Sequence, residues 1–301
     1  MKKISALLLA LTMIVGLCAC GGGTPAASAS PETSADAAAS PATSTVPSGV
    51  EDGVLTVAME CAYAPYNWTQ ADDSNGAVPI KDSNEFANGY DVMMAKKLCE
   101  ANGWQLEIVR LDWESLIPAV QTGLVDAVIA GQSMTPERME QVDFAGPYLY
   151  ATIVCLTLKD SSFASAKGIS DLAGGKATSQ IGTIWYDTCL PQIKAADIQP
   201  AAETAPAMLM ALETKTVDFV CTDMPTAQGA LAAYPDMTIL NFAGSDDDFA
   251  VSDSDVNIGI SIMKGNTVLL DALNGVLSGM SADDFNTIMA DAIAVQPITN
   301  G

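Results

Sequence analysis

The residue of this chain that is best suited to binding an anion is Arg138. It is one of only two arginines in a sequence of 301 residues whose formal net charge is −23. Arg138 stands three residues after Thr135, a predicted N-cap followed by Pro136, so its side chain can reach back over the Gly/Ser loop 131–134. A guanidinium matches a carboxylate through two parallel hydrogen bonds. The pattern predicts a binding site for a small carboxylate, with an ordinary surface arginine as the alternative.

Further polar residues at predicted strand and helix ends could complete such a site. Gly131 and Ser133 lie on the loop, where glycine lets a ligand approach the backbone and the hydroxyl can bond an ammonium or a carboxylate; turn chemistry alone is the alternative. Thr183 stands at the head of a predicted helix, so its hydroxyl and nearby N–H groups could hold a carboxylate, or it could be a plain N-cap. Asp223 follows an apolar strand, where a cleft-facing side chain would emerge, and could instead cap the helix after Pro225.

The composition argues against several classes of function. A net charge of −23 disfavours nucleic acid or an anionic membrane surface as a partner. The absence of histidine removes the commonest general base and the commonest zinc ligand. No C-x-x-C spacing occurs in the body of the chain, so the sequence predicts no metal site, and nothing indicates a cofactor. No disulfide is predicted, and most of the body's cysteines are expected to be small buried residues: Cys61, Cys99, Cys155, Cys189 and Cys221.

The first 50 residues are predicted to be a signal peptide followed by a disordered tether. Two lysines precede an apolar run, 4–17, that is shorter than the roughly 20 residues of a membrane span and fits a secretory signal core. It runs into an LCAC sequence ending at Cys20, which resembles a bacterial lipobox. Residues 1–20 are therefore expected to be a lipoprotein signal peptide with the lipid on Cys20; ordinary secretion with cleavage nearby is the alternative. Residues 21–50, small and polar, are expected to be a disordered tether.

The body of the chain alternates strands with helices, which predicts an α/β fold with parallel strand pairs. Residues 71–88 are polar and predicted to form a loop that could include a short hairpin. The other predicted elements that bear on the site are strands at 54–58, 106–111, 125–130, 176–179, 217–221 and 256–263, and helices at 91–102, 115–122, 181–190 and 225–233.

Two segments of the body echo each other. Residues 124–136, LVDAVIAGQSMTP, and residues 216–226, TVDFVCTDMPT, each run from V-D through an apolar strand and a polar loop to a proline. Two related lobes would produce such an echo. The long β-branched and aromatic run 148–158 could cross between them.

An ordered set of motifs in the body resembles the extracytoplasmic solute-binding proteins of ABC transporters, of the polar amino-acid class (bacterial solute-binding protein family 3). The resemblance extends over nearly all of residues 54–296. It implies an α/β, two-lobed, periplasmic-binding-protein-like fold of type II, with two crossing strands joining the lobes and the ligand in the cleft. By that pattern lobe 1 is 54–150 plus 250–301, and lobe 2 is 151–249. The motifs are 89–92, 113, 116–119, 123–127, 131–138, 142–148, 171–174, 181–183, 217–218, 222–223 and 258–260.

The resemblance also implies roles for side chains that would choose the ligand. Asp223 would bind the α-ammonium, Tyr63 and Trp113 would form aromatic walls, and Glu60 the floor, with Gln180 as a further candidate. Two aromatic faces and an acid suit an extended cation such as arginine, lysine or ornithine, although glutamine or another polar amino acid would also fit. Core packing is the alternative for the two aromatic residues.

The implied protein is a monomer, lipid-anchored on the extracytoplasmic face of the cell membrane, and not an enzyme. It would capture a polar, basic amino acid as its ligand and deliver it to the membrane permease of an ABC transporter, with no role for nucleic acid. Two alternatives remain open. One is an enzyme of the same fold, similar to cyclohexadienyl dehydratases, with Glu60 as the acid. The other is a sensory module that presents bound solute to a receptor.

Overall fold

The computed structural model describes residue 50 and residues 52–297. The predicted signal peptide, the lipid site at Cys20 and all but the last residue of the predicted tether lie outside the described residues. In the described part no helix is long and apolar enough to cross a membrane.

The described chain alternates short strands with helices. The strands are β1 Val54–Met59, β2 Ala62–Tyr63, β3 Asn67–Gln70, β4 Val78–Pro79, β5 Phe86–Asn88, β6 Gln105–Arg110, β7 Ala127–Ser133, β8 Asp143–Tyr150, β9 Ile153–Leu158, β10 Lys176–Thr178, β11 Asp197–Ile198, β12 Phe219–Asp223, β13 Met237–Leu240 and β14 Asn257–Ile262. The α-helices are α1 Tyr90–Asn102, α2 Leu116–Gln121, α3 Pro136–Gln141, α4 Ala205–Glu213, α5 Met224–Ala233, α6 Asp253–Val256, α7 Thr267–Leu277 and α8 Ala282–Val295.

Two five-stranded sheets organise the molecule. The first has the order β6-β1-β7-β14-β8, with β1 parallel to β6 and β7, and β14 antiparallel to its neighbours. The second has the order β11-β10-β12-β9-β13, with β10 parallel to its neighbours and β9 antiparallel to its own. The predicted α/β architecture with parallel pairs is confirmed. We call the part built on the first sheet lobe 1 and the part built on the second sheet lobe 2.

The chain passes between the two sheets twice. The first passage joins β8 to β9, and the second joins β13 to β14. The two passages touch, because the amide of Ala151 donates to the carbonyl of Val256 at 2.8 Å. The run 148–158, expected to cross between the lobes, makes the first passage: its first residues end β8 in one sheet and its last form β9 in the other. The lobe boundaries 54–150 plus 250–301 and 151–249 stay a prediction.

The helix α1 shows how the sequence pattern fixes an element of lobe 1. Its predicted inner face is buried: Val92, Ala95, Leu98 and Cys99 are all at most 4% exposed. Gly103 ends the helix with φ of 71°, the left-handed cap that glycine adopts without a steric penalty. The helix predicted at 91–102 is therefore confirmed.

One local prediction was confirmed in its finer form and two were wrong. The short hairpin considered for segment 71–88 is present, because β4 and β5 pair antiparallel within a small four-stranded sheet, ordered β2-β3-β5-β4. The loop predicted at 131–134 is largely strand, because β14 pairs with β7 as far as Ser133 across a register shift. The helix predicted at 181–190 begins only at Trp185, as a π-helical turn Trp185–Cys189, because Gly182 is left-handed with φ of 64°.

Candidate ligand-binding cleft

The predicted site residues converge between the two lobes. Most of them line one small cavity of about 10 Å³, together with Ile184 and Trp185: Tyr63, Trp113, Gly131, Ser133, Arg138, Gln180 and Thr183. Glu60 and Asp223 do not line it. Trp113, Arg138, Thr183 and Ile184 also line a wider groove of about 590 Å³ between the lobes. The inner cavity has about the volume of one water molecule, so an amino acid can enter only if the lobes or their side chains move apart.

Arg138 joins both lobes. Its backbone amide donates to the Thr135 hydroxyl at 3.3 Å, which confirms Thr135 as the N-cap of α3. The guanidinium donates to the carbonyl of Ser133 in its own lobe and to that of Gly182 in lobe 2, both at 2.9 Å. It also lies 5.4 Å from the centroid of the Trp113 ring, within cation–π distance. Desolvation lowers its pKa to about 10, so the group remains a cation at neutral pH.

Asp223 faces lobe 1 from the end of β12. Its Oδ1 accepts from the amide of Thr226 at 2.9 Å, so it is the N-cap of α5. Its Oδ2 accepts from the Tyr66 hydroxyl at 2.8 Å and from the Tyr63 hydroxyl at 3.1 Å. Burial raises the pKa of this carboxyl, and these hydrogen bonds oppose the shift. Asp223 thus caps a helix and binds two tyrosines of lobe 1 at the same time, but it lines neither of the two cavities.

Glu60 and Gln180 form a polar pair across the cleft. Glu60 follows β1 and is 5% exposed, and the Gln180 amide nitrogen lies 3.3 and 3.2 Å from its two carboxyl oxygens. Burial raises the pKa of Glu60 to about 7, against the opposing effect of the Gln180 bond. A cation placed beside this carboxyl would favour its ionised form.

The aromatic residues of the cleft differ in their packing. Tyr63 is 2% exposed and stacks on Tyr66 with ring centroids 4.6 Å apart. Trp185 lies against Tyr63 at 6.1 Å. Trp113 is half-buried and its indole N–H donates to the carbonyl of Gly182 at 3.4 Å. Sequence reasoning missed Tyr66 and Trp185, although each is an aromatic residue within three positions of a candidate it did find.

The smaller predicted residues contribute mainly through their backbones. Gly131 has φ of 65°, and a Cβ there would lie 2.7 Å from the Tyr63 ring, so the close approach it permits is that of Tyr63. The carbonyl of Ser133 holds Arg138. Thr183 caps no helix; its hydroxyl donates to the carbonyl of Gln180 at 2.7 Å.

A buried hydrogen-bond chain behind the cleft was also missed. Asp91 accepts from the Tyr148 hydroxyl at 2.6 Å and from the Asn67 side-chain amide at 2.7 Å. Tyr148 in turn accepts from the Gly131 amide at 3.0 Å, and Asn67 accepts from the Cys61 amide at 2.7 Å. Burial raises the pKa of Asp91 to about 7. The chain fixes the backbone of β7 relative to the segment that carries Glu60 and Tyr63.

The site offers no metal chemistry of its own within the part that the structure describes. No group of three or more His, Cys, Asp or Glu residues is arranged there to hold a metal ion. The five cysteines of the described body are buried free thiols.

Comparison with known proteins gives the family. A sequence profile of the bacterial extracellular solute-binding proteins, family 3, matches residues 55–291. The chain belongs to this family. The resemblance seen in the sequence is thereby confirmed, as is the expectation of a binding protein rather than an enzyme.

Individual relatives are named for the amino acid that they bind. The chain is 31% identical over 183 residues to a probable histidine-binding protein of Campylobacter jejuni, a match covering 61% of this chain and 65% of that protein. It is 33% identical over 139 residues to an arginine-binding extracellular protein of Bacillus subtilis, covering 46% of this chain and 48% of that one. The chain thus matches less than two thirds of the length of either relative. A solved ancestral arginine-binding protein bound to arginine has the same fold, with a TM-score of 0.62, 27% identity and coverage of 79% of this chain and 97% of its own.

Proposed function

We propose that this protein captures a basic amino acid outside the cytoplasm and delivers it to the permease of an ABC transporter. One observation carries the proposal. A guanidinium, Arg138, in the first turn of α3 and a carboxylate, Asp223, at the N-cap of α5 lie on opposite sides of the boundary between the lobes. An α-amino acid has the complementary pair of charges, on two groups bonded to the same carbon.

The carboxylate of the ligand is assigned to Arg138. The guanidinium would exchange its bonds to the carbonyls of Ser133 and Gly182 for two parallel bonds to the ligand. Gly131, Ser133 and Thr183 would line this end of the ligand. The α-ammonium is assigned to Asp223, whose Oδ2 now accepts from Tyr63 and Tyr66.

Selection of the side chain is assigned to Glu60, Tyr63 and Trp113, with Gln180 and Trp185 closing the same space. The buried Glu60 carboxyl has a pKa of about 7. A guanidinium or ammonium beside it would favour its ionised form. A cationic side chain between aromatic faces would gain cation–π attraction as well. The names of the arginine-binding and histidine-binding relatives support this choice of ligand.

Capture requires lobe motion. Because both lobes contact the ligand in this assignment, binding favours the closed arrangement by a population shift. The lobes, 54–150 plus 250–301 and 151–249, would then move as units about the two passages of the chain.

Export and membrane anchoring of the protein are part of this proposal. A signal peptide, 1–20, would direct export, a lipid on Cys20 would anchor the monomer to the membrane, and residues 21–50 would leave the lobes free to reach the permease. Labelling with a radioactive fatty acid, compared between wild type and Cys20→Ala, tests this part. Label on both proteins alike would contradict it.

Isothermal titration of the purified protein against the proteinogenic amino acids and ornithine tests the binding function. We expect arginine, lysine or ornithine to bind most tightly, with histidine and glutamine as the informative competitors. Absence of binding to every amino acid would overturn the proposal. Turnover of arogenate or prephenate in the same preparation would support the dehydratase alternative instead.

A further inference from the structure

One face of α5 forms the contact between lobe 2 and the segment that carries the aromatic residues of lobe 1. Asp223, Thr226 and Gly229 recur every three residues and therefore lie along one side of the helix. The first two bond the tyrosines of lobe 1: Asp223 accepts from Tyr63 and Tyr66, and the Thr226 hydroxyl lies 3.2 Å from the Tyr63 hydroxyl. The contact between the lobes thus begins at the residue assigned to the ligand ammonium.

Gly229 continues this contact without a side chain. A Cβ built at this position would lie 3.1 Å from Cδ of Pro65, in lobe 1, and 2.8 Å from the side-chain oxygen of Gln296, the residue after α8. The Gln296 amide also donates to the carbonyl of Gly229 at 2.7 Å. Lobe 1 therefore closes on the bare backbone of α5 from two directions.

The helix itself gives no reason for glycine at this position. Gly229 lies inside α5 and has no left-handed backbone angle, so any ordinary residue could adopt its conformation. Glycine is among the least favourable residues in a helix interior. Among the described residues, one other glycine lies inside an α-helix: Gly275, in α7, where a Cβ would meet nothing within 4 Å. The requirement at Gly229 comes from the opposing lobe.

We propose that Gly229 is a positioning residue for ligand capture, because the missing side chain lets α5 lie flush against Pro65 and Gln296 when the lobes close. It lies six positions after Asp223, about 9 Å along the helix. A wedge at Gly229 would therefore hold the Asp223 carboxyl away from Tyr63 and Tyr66 without touching the ligand. This inference rests on the proposed function, since its main measure is amino-acid affinity.

The test uses the full-length chain with Gly229→Ala and Gly229→Leu, and with Gly275→Ala and Gly275→Leu as matched controls. Arginine affinity is measured by calorimetry, the melting temperature without ligand by calorimetric scanning, and the radius of gyration with and without saturating arginine by small-angle scattering. Crowding the contact should weaken binding by less than about tenfold for Gly229→Ala, because the Gln296 oxygen ends a flexible side chain, and by more than about a hundredfold for Gly229→Leu. The melting temperature of Gly229→Ala should not fall, because alanine suits a helix better than glycine. In saturating arginine, Gly229→Leu should keep a larger radius of gyration than the wild type.

The controls should bind arginine as the wild type does. Unchanged affinity in Gly229→Leu would overturn the inference, and so would a loss of affinity that merely follows a loss of thermal stability with no change in the radius of gyration. If the wild type binds no amino acid, the proposed function fails separately. Scattering without ligand then decides the inference: a larger radius for Gly229→Leu than for wild type supports it, and equal radii contradict it.

Discussion

The two lobes present the cleft with the same strand–helix corner but with opposite charges. In lobe 1 the corner is β7 followed by α3, and in lobe 2 it is β12 followed by α5. Each strand is the third of five in its sheet, with a parallel neighbour on one side and an antiparallel neighbour on the other. Each helix has a capping side chain at its N-cap and a proline in its first turn.

The two corners also share a pair of hydrogen bonds, made by the aspartate that directly precedes each strand. Asp126 donates its amide to the carbonyl of Thr56 and accepts the amide of Thr56 with its side chain, at 2.9 and 2.8 Å. Asp218 makes the same two bonds to Lys176, both at 2.8 Å. These aspartates are the V-D of the two echoing phrases, so the echo in the sequence reports a repeated connection between neighbouring strands.

The difference lies in the charged residue at each corner. Asp223 is the N-cap of α5, where the partial positive charge of a helix N-terminus favours an anion. Arg138 belongs to both the first and the last turn of the six-residue helix α3, so the helix dipole does not decide its position, and the carbonyls of Ser133 and Gly182 hold its guanidinium. Desolvation lowers the pKa of Arg138 to about 10, a cost that the carboxylate of the proposed ligand would offset.

The largest expected effect comes from removing that cation. Arg138→Ala deletes two charge-assisted bonds to the ligand, worth about 1.5–3 kcal/mol each, so arginine affinity should fall about 10²–10⁴-fold in calorimetry. The other arginine is a matched control: Arg110 forms an exposed ion pair with Glu85 at 2.7 Å, and Arg110→Ala should leave affinity unchanged. Equal losses in both variants would contradict the assignment.

The second corner should respond to the loss of charge alone. Asn caps a helix about as well as Asp, so Asp223→Asn should keep the melting temperature near that of wild type. Without the anion, affinity for arginine should fall about a hundredfold, and affinity for agmatine, which keeps an ammonium but lacks the carboxylate, should fall as well. A variant that binds as the wild type does would remove Asp223 from the site.

The selectivity of the floor should depend on pH. With a pKa of about 7, Glu60 is about 10% ionised at pH 6 and about 90% ionised at pH 8, so arginine should bind about tenfold more tightly at the higher pH. Glu60→Gln should flatten this dependence in calorimetry. A flat profile in the wild type would show that the carboxyl of Glu60 does not meet the ligand cation.

The same carboxyl should lower stability as the pH rises, whereas it should strengthen arginine binding. Its pKa in the folded protein lies above the ordinary value of 4.5, so the ionised form is disfavoured by folding. Stability without ligand should therefore fall as the pH rises from about 4.5 to about 7, relative to Glu60→Gln. Chemical denaturation at a series of pH values measures the difference, and a difference that does not change with pH contradicts it.

The smallest effect is expected where the two corners are alike. Asp126→Ala and Asp218→Ala each remove one side-chain bond to a neighbouring strand, so each should lower the free energy of unfolding by about 1–2 kcal/mol and leave arginine affinity unchanged. Because the residues lie in different lobes, the double variant should lose about the sum. Strong non-additivity in urea unfolding would show that the corners are coupled through the cleft.

The sequence predicted what depends on local pattern. The buried face of α1, the cap at Thr135 and the repeated V-D phrase all follow from periodicity and capping rules. The carboxyl at Asp223 was predicted with both of its roles left open, and the structure shows the cap directly.

The contacts that cross between the lobes had no such local signal. Tyr66 reaches Asp223 from 157 positions away, and the chain from Gly131 through Tyr148 to Asp91 joins three elements. The helix predicted from residue 181 starts later because Gly182 has a left-handed φ of 64°. Residue type alone does not predict that angle. Such features depend on which surfaces meet, which periodicity does not encode.

In the proposed site Arg138 and Asp223 bind the two charges of one amino acid. Calorimetric titration of wild type and Arg138→Ala with both arginine and agmatine separates their roles. We expect Arg138→Ala to weaken arginine binding greatly and to leave agmatine binding almost unchanged, because agmatine lacks only the carboxylate that Arg138 would bind. An equal loss of affinity for both ligands would contradict it.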